Sequence, residues 1–265
     1  MKKIHILAIG AIFGITAILS SCSSSSDTTP PDTTGPTAKM NFKKDFHSQY
    51  DIFVVDSADA SGNNGDRILG STRVSAPEII VDTALSFMGK TNVVRIVTFM
   101  TPPALNDTNY FYQDPNGDLY RYNYGFSILN QFSYLVQAIG SPVDVGWVLA
   151  AKMTSKEGTT WVAKTDSVLI QQFNIPVYLT SQATMLSDTT FLVDTSHVKA
   201  RHVQHIITAK AGNGVAQDGK VIIDSYLSTD INAVVEDFFR HVKLSGQLLN
   251  AQAQGKLKIM TSYGK

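Results

Sequence analysis

From residue 40 to the C-terminus, apolar residues recur at every second position in short β-branched and aromatic runs broken by Gly, Asn, Asp and Pro. That period restricts the chain to β-sheet with one buried face, because successive strand side chains point to opposite sides. Runs at 47–56, 79–88, 92–100, 168–173, 177–185, 191–195, 198–210, 220–227, 231–242 and 257–263 read as strands, with a helix over 231–240 as the alternative for that run. Gly89-Lys90 predicts a hairpin between the second and third. Asn109–Tyr124 predicts another, around Asp114-Pro115-Asn116-Gly117, where proline presets one turn position and glycine supplies the left-handed one. A third is expected between 147–153 and 159–163, around Lys156-Glu157-Gly158. Hairpin-length connections exclude a βαβ fold. The expected domain is mainly β, an antiparallel curved sheet or half-barrel of about a dozen strands, over 41–265 and divisible into two lobes near residue 165.

One segment departs from period two. Ile128, Leu129, Phe132, Leu135, Val136 and Ile139 fall at helical spacing, with Ser127 placed as N-cap and Gly140 then Pro142 as stop. The spacing predicts one main helix over 127–139.

The first 40 residues carry a different message. Lys2 and Lys3 precede an uncharged, largely apolar run of 16 residues, Ile4–Leu19, followed by Ser20-Ser21-Cys22, and Cys22 is the single cysteine. A spanning helix needs about 20 apolar residues, so a cleaved signal is favoured over a permanent anchor. Residues 1–22 resemble a bacterial lipoprotein signal peptide with its lipobox. The resemblance implies diacylglycerol on the Cys22 thiol, cleavage after residue 21, and anchoring in the cell envelope by several acyl chains, which together hold a protein stably. Ser23 is the kind of residue that in proteobacterial lipoproteins permits transfer to the outer membrane. Residues 22–40, rich in Ser, Thr and Pro, read as a disordered tether that could hold the domain up to about 50 Å from the bilayer at about 3 Å per residue.

Removal of residues 1–21 takes Lys2 and Lys3 and no acid, leaving 20 basic against 22 acidic side chains. Such a balance gives no electrostatic footprint for nucleic acid. With its one thiol committed to lipid, the chain cannot form an internal disulfide, so burial must stabilise it.

Chemistry-bearing patterns are sparse. His197, His202 and His205 form the one histidine cluster; in a strand 202 and 205 face opposite ways, and 197 and 205 lie roughly 26 Å apart, which disfavours a shared metal. The Asn- and Asp-rich loop at 61–66 lacks EF-hand ligand spacing. No Gly-x-Ser-x-Gly elbow, His-Glu-x-x-His or phosphate loop is present. No catalytic, cofactor or metal residue is therefore nominated. Tyr120, Tyr122 and Tyr124 are expected to share one face, as cross-strand packing or as a platform for sugar or lipid.

Six Asp-(Ser/Thr)-x tripeptides resemble O-glycan acceptor motifs of exported Bacteroides-like proteins; the two in the tether make Thr28 and Thr33 the sterically free acceptors. The tyrosine hairpin with Trp147 and Trp161, and 191–210 leading through a Gly-rich turn into 220–227, resemble uncharacterised Bacteroidota-type envelope lipoproteins whose second halves are similar to the curved half-barrel of lipoprotein carriers. Asp188-Thr189-Thr190-Phe191 and Asp230-Ile231-Asn232 depart from the glycine-rich loops of that class. The resemblance implies a non-enzymatic, lipid-anchored protein binding an apolar ligand or an envelope partner. The alternative is a hydrolase acting on envelope or extracellular polymer.

Overall fold

A computed structural model describes residues 39–56, 66–102, 104–171, 173–246 and 251–264. Cys22, Thr28, Thr33, the tether up to residue 38 and most of the 61–66 loop lie outside them. The described residues group as one compact unit.

The chain is mainly β. Its first six strands, β1 (His47–Asp56), β2 (Arg67–Phe87), β3 (Lys90–Thr98), β4 (Asp107–Gln113), β5 (Asp118–Tyr122) and β6 (Trp147–Lys152), form an antiparallel meander. The second half repeats the scheme with β7 (Thr160–Ile170), β8 (Ile175–Met185), β10 (Ser196–Ala211), β11 (Gln217–Ser228), β12 (Ala233–Gly246) and β14 (Gly255–Gly264). Short β9 (Thr189–Val193) pairs with the start of β10, and β13 (Ala251–Gln252) with β12. β14 pairs with β1, so both meanders belong to one 14-stranded sheet that curls into a nearly closed barrel.

Turn chemistry fixes the hairpins. Phe87 pairs with Lys90 across Met88 and Gly89, both with positive φ, as a two-residue turn matched to strand twist requires. At the β4–β5 turn, Asp114 Oδ1 accepts from the backbone of Asn116 and Asp118 while Gly117 takes φ 89°. Of the run at 231–242, residues 233–242 are strand, within β12, and Ile231 and Asn232 belong to the turn before it.

The expected hairpin between 147–153 and 159–163 does not form. β6 and β7 are instead the two free edges of the sheet, brought together by curvature. Side chains bridge the seam: Trp161 Nε1 donates to the Leu149 carbonyl at 3.2 Å, and the Arg201 guanidinium to the carbonyls of Met153 and Ser155. Of the run at 168–173, residues 168–170 are the end of β7, which bulges between Val162 and Lys164. Thr165 therefore lies within a strand.

The single helix over 127–139 is two pieces, a 3₁₀-helix Phe126–Gln131 and an α-helix Ser133–Ile139, separated at Phe132 with ψ 85°. Phe126, Leu129 and Phe132 are all buried at spacing three, the 3₁₀ period. Gly140 ends the α-helix in the left-handed conformation. Gly125, not Ser127, begins the pair; with φ 78° its Cα lies so close to Ile207 and Ile223 that a Cβ would collide with both.

Two apolar clusters fill the interior. The larger includes Phe111, Leu119, Phe126, Leu129, Ile207 and Ile223. The smaller joins Tyr50, Val235 and Met260 to Val193, Val198 and Ala200 of the β9–β10 hairpin.

Candidate functional site

Charged side chains stand between rings of the two clusters. On β5, Arg121 shares the inward face with Leu119, and on β12 Asp237 lies between inward Val235 and Phe239. Arg121 Nη1 donates to Asp237 Oδ2 at 2.9 Å and Oδ1 at 3.1 Å; the Ser225 hydroxyl donates to Oδ1 at 2.6 Å. The guanidinium also lies 3.9 Å from the Tyr124 ring centroid and 4.8 Å from that of Phe111. Burial opposes its charge, but Asp237 and the neighbouring groups more than restore it, raising its pKa. The Nε–H of Arg121 is buried without an acceptor.

A second pair joins Lys258 to Glu78, which also accepts from Thr98 Oγ1 at 2.7 Å; the Lys258 ammonium sits 4.1 Å from the Tyr50 ring centroid. The third is Lys256 with Asp107, 3.1 Å apart and about half exposed. Arg121, Lys256, Lys258 and Asp107 line a cavity of 190 Å³ between β4, β5, β12, β14 and the 3₁₀-helix, with Asn109, Ser127 and Gln131 adding neutral polar groups. Burial raises the pKa of Asp107, but Lys256, Lys258 and Arg121 outweigh it and hold the carboxyl below its ordinary value.

A Ser–His pair exists, but nothing reaches it. Ser181 Oγ is 3.1 Å from His205 Nδ1, and His205 Nε2 is 2.8 Å from the Ala150 carbonyl. A carbonyl only accepts, so Nε2 carries the proton and Ser181 donates to Nδ1. Both residues are 0% exposed, and burial pushes the imidazole pKa down to about 4. The pair therefore ties β8 and β10 to the β6 edge. His202 faces outward, bonded to Asp224 at 2.9 Å and stacked on Tyr226; His197 is exposed on the β9–β10 hairpin. Among the described residues, no group of three or more metal-ligating side chains converges.

The three tyrosines do not share a face. Tyr120 and Tyr122 point outward, whereas Tyr124 is buried, because the chain turns at Asn123 with φ 50°. Tyr122 instead joins Phe87, Tyr110 and Trp147 in a half-buried outer patch, with Phe87 and Tyr110 stacked at 4.0 Å. These rings largely cover one another across β2 to β6.

A second concavity, 310 Å³ and mainly apolar, lies where the described chain begins. Phe46, Ile231 and Tyr263 line it, with Lys43 and Lys44 at its side. The Phe46 and Tyr263 rings stack at 6.3 Å, and Asn41 N–H donates to Asn232 Oδ1 at 2.7 Å, pinning the first residues of the domain to the β11–β12 turn.

The inward charges were missed in the sequence although a signal was present: Glu78 between Ala76 and Ile80, Arg121 two residues from Leu119, and Asp237 between Val235 and Phe239 all occupy positions whose parity is apolar.

No family model matches the chain, and no curated protein matches it. Among solved structures, the hypothetical lipoprotein YmcC from Escherichia coli (K12) aligns over 90% of this chain and 99% of its own at 10% identity, with a TM-score of 0.34. A likeness at that level carries no argument about activity.

Proposed function

We propose that this is a lipid-anchored cell-envelope protein, seated in the outer membrane through Cys22, whose barrel acts by binding an apolar ligand or envelope partner and not by catalysis. The observation that carries the binding reading is the apolar groove of Phe46, Ile231 and Tyr263. It is built partly from residues 41–46, which follow the tether in the chain, so the groove sits at the anchored end of the domain's sequence. Apolar surface left open at such a place is what a lipid or a membrane-associated partner covers. The sealed Ser181–His205 pair supports the non-catalytic reading, since a nucleophile must meet its substrate.

Two experiments test the two halves. Metabolic labelling with radioactive fatty acid should mark the wild-type chain and not Cys22→Ala; label on the variant would refute the anchor. The domain from Thr37 onward, purified from envelopes and extracted with organic solvent, should release lipid near one per chain, and Ile231→Asp should abolish this without unfolding it. A folded domain that carries no lipid and takes up no fluorescent fatty acid would leave an envelope partner as the occupant.

A further inference from the structure

The polar cavity beneath the 3₁₀-helix is separate from the apolar groove, and its lining has a charge pattern of its own. Three cations, Arg121, Lys256 and Lys258, face it with one carboxylate, Asp107. The other two carboxylates of the layer, Asp237 and Glu78, pair with Arg121 and Lys258 but do not line the cavity. Buried ion pairs are weak contributors to stability, because desolvation offsets most of the Coulomb gain, so packing alone does not explain two of them, with a third half-exposed pair, around one void. Arg121 in addition engages both oxygens of Asp237 through a single nitrogen and leaves its Nε–H without an acceptor.

We propose that this cavity binds a small organic carboxylate, held by Lys256 and the guanidinium of Arg121 in the place that Asp107 now serves as an internal stand-in. Asp107 reports the field there, because all three cations stabilise its ionised form. Its side chain is about half exposed and its bond to Lys256 is open to solvent, so it can yield Lys256 to an incoming carboxylate, whereas Asp237 and Glu78 are fixed in the interior. A cavity of 190 Å³ admits a carboxylate of a few carbons. Asn109, Ser127 and Gln131 provide neutral partners for hydroxyl or amide groups on such a ligand.

The test is calorimetric titration of the full-length protein in neutral detergent with sodium acetate and sodium succinate at constant ionic strength, with acetamide as uncharged isostere and inorganic phosphate as tetrahedral anion. Saturable heat with a carboxylate and none with acetamide is expected. Asp107→Asn should tighten binding by roughly tenfold, the worth of one charge-assisted hydrogen bond, and Lys256→Met should weaken it by a similar factor. A gain in Asp107→Asn cannot come from damage to the fold. No saturable carboxylate binding, equal binding of acetamide, binding of phosphate alone, or an Asp107→Asn variant no tighter than wild type would each overturn the proposal.

Discussion

Arg121 and Asp237, 116 residues apart, meet inside the barrel at 2.9 Å and tie the first meander to the second through a charge pair with almost no solvent access. The two halves are also joined by the β1–β14 ladder, by the Lys258–Glu78 and Lys256–Asp107 pairs and by side chains across the β6–β7 seam. An interaction of this kind is expensive to break and cheap to replace, since the penalty lies in leaving one charge alone.

Arg121→Met should therefore destabilise the domain by about 3–5 kcal/mol, because Asp237 keeps its charge with only Ser225 and Tyr124 as donors. Adding Asp237→Leu should recover most of that loss. Guanidinium unfolding of the two variants checks this: a double variant as unstable as the single would mean that the pair contributes by itself and not by mutual compensation.

Gly255 sits on β14 between β1 and β12, and a Cβ there would run into the carbonyl of Phe239 and meet Val55 Cβ at 3.1 Å. Backbone cannot move aside as a side-chain tip can, so Gly255→Ala should cost about 1–3 kcal/mol, the range for overpacking. Gly70→Ala, in β2 with nothing near its Cβ position, should be neutral or slightly stabilising. Melting temperatures of the two alanine variants, compared side by side, decide whether β14 is as tightly held as this geometry requires.

What could be read from sequence follows the range of the forces. The β2–β3 and β4–β5 hairpins were legible because Gly89, Asp114 and Gly117 act within four residues. The β6–β7 seam was not, because two runs with a short loop between them look like a hairpin whether they pair or close a barrel; the choice rests on β1 meeting β14. Tyr124 was misplaced for a local reason that alternation hides, the left-handed Asn123. The broken helix was hidden similarly, since spacing of three at 126, 129 and 132 is contained in a helical stripe. The ion-pair layer joins residues whose partners lie 116 and 180 positions away, so parity could mark them as inward but could not pair them.

Phe132 is the residue at which the 3₁₀-helix passes into the α-helix, and its ring is buried in the larger cluster. Phe132→Asp should lower the melting temperature strongly: losing a buried ring costs about 3–5 kcal/mol before the unpaired charge is counted. Unchanged melting would show that the helical segment does not contribute to the core.

Acid should reveal two opposed titrations. His205 is neutral in the fold, its pKa pushed by burial from 6.5 to about 4. Between those values the unfolded chain binds a proton that the folded chain does not, so this stabilisation is complete above pH 6.5 and is lost as pH falls toward 4, by about 3 kcal/mol at 1.36 kcal/mol per unit. Glu236 works the other way: burial, then Asp237 and Asp224, push its pKa from 4.5 to about 7. Here the folded state holds the extra proton, and its contribution is complete below pH 4.5 and lost as pH rises through 7. In the shared window of pH 4.5–6.5 the two slopes oppose one another, and His241, whose pKa burial also lowers from 6.5, adds to the rising one, so wild-type stability should rise only gently with pH. The pKa values of Asp107 and Asp224 are held below 3.8, so they act only beneath the window. Glu236→Gln removes the descending slope, and its stability should climb between pH 4.5 and 6.5, with the advantage over wild type widening up to neutrality. Urea midpoints of both proteins at pH 4.5, 5.5, 6.5 and 7.5 measure this, and a constant gap would mean that Glu236 titrates as an ordinary surface carboxylate.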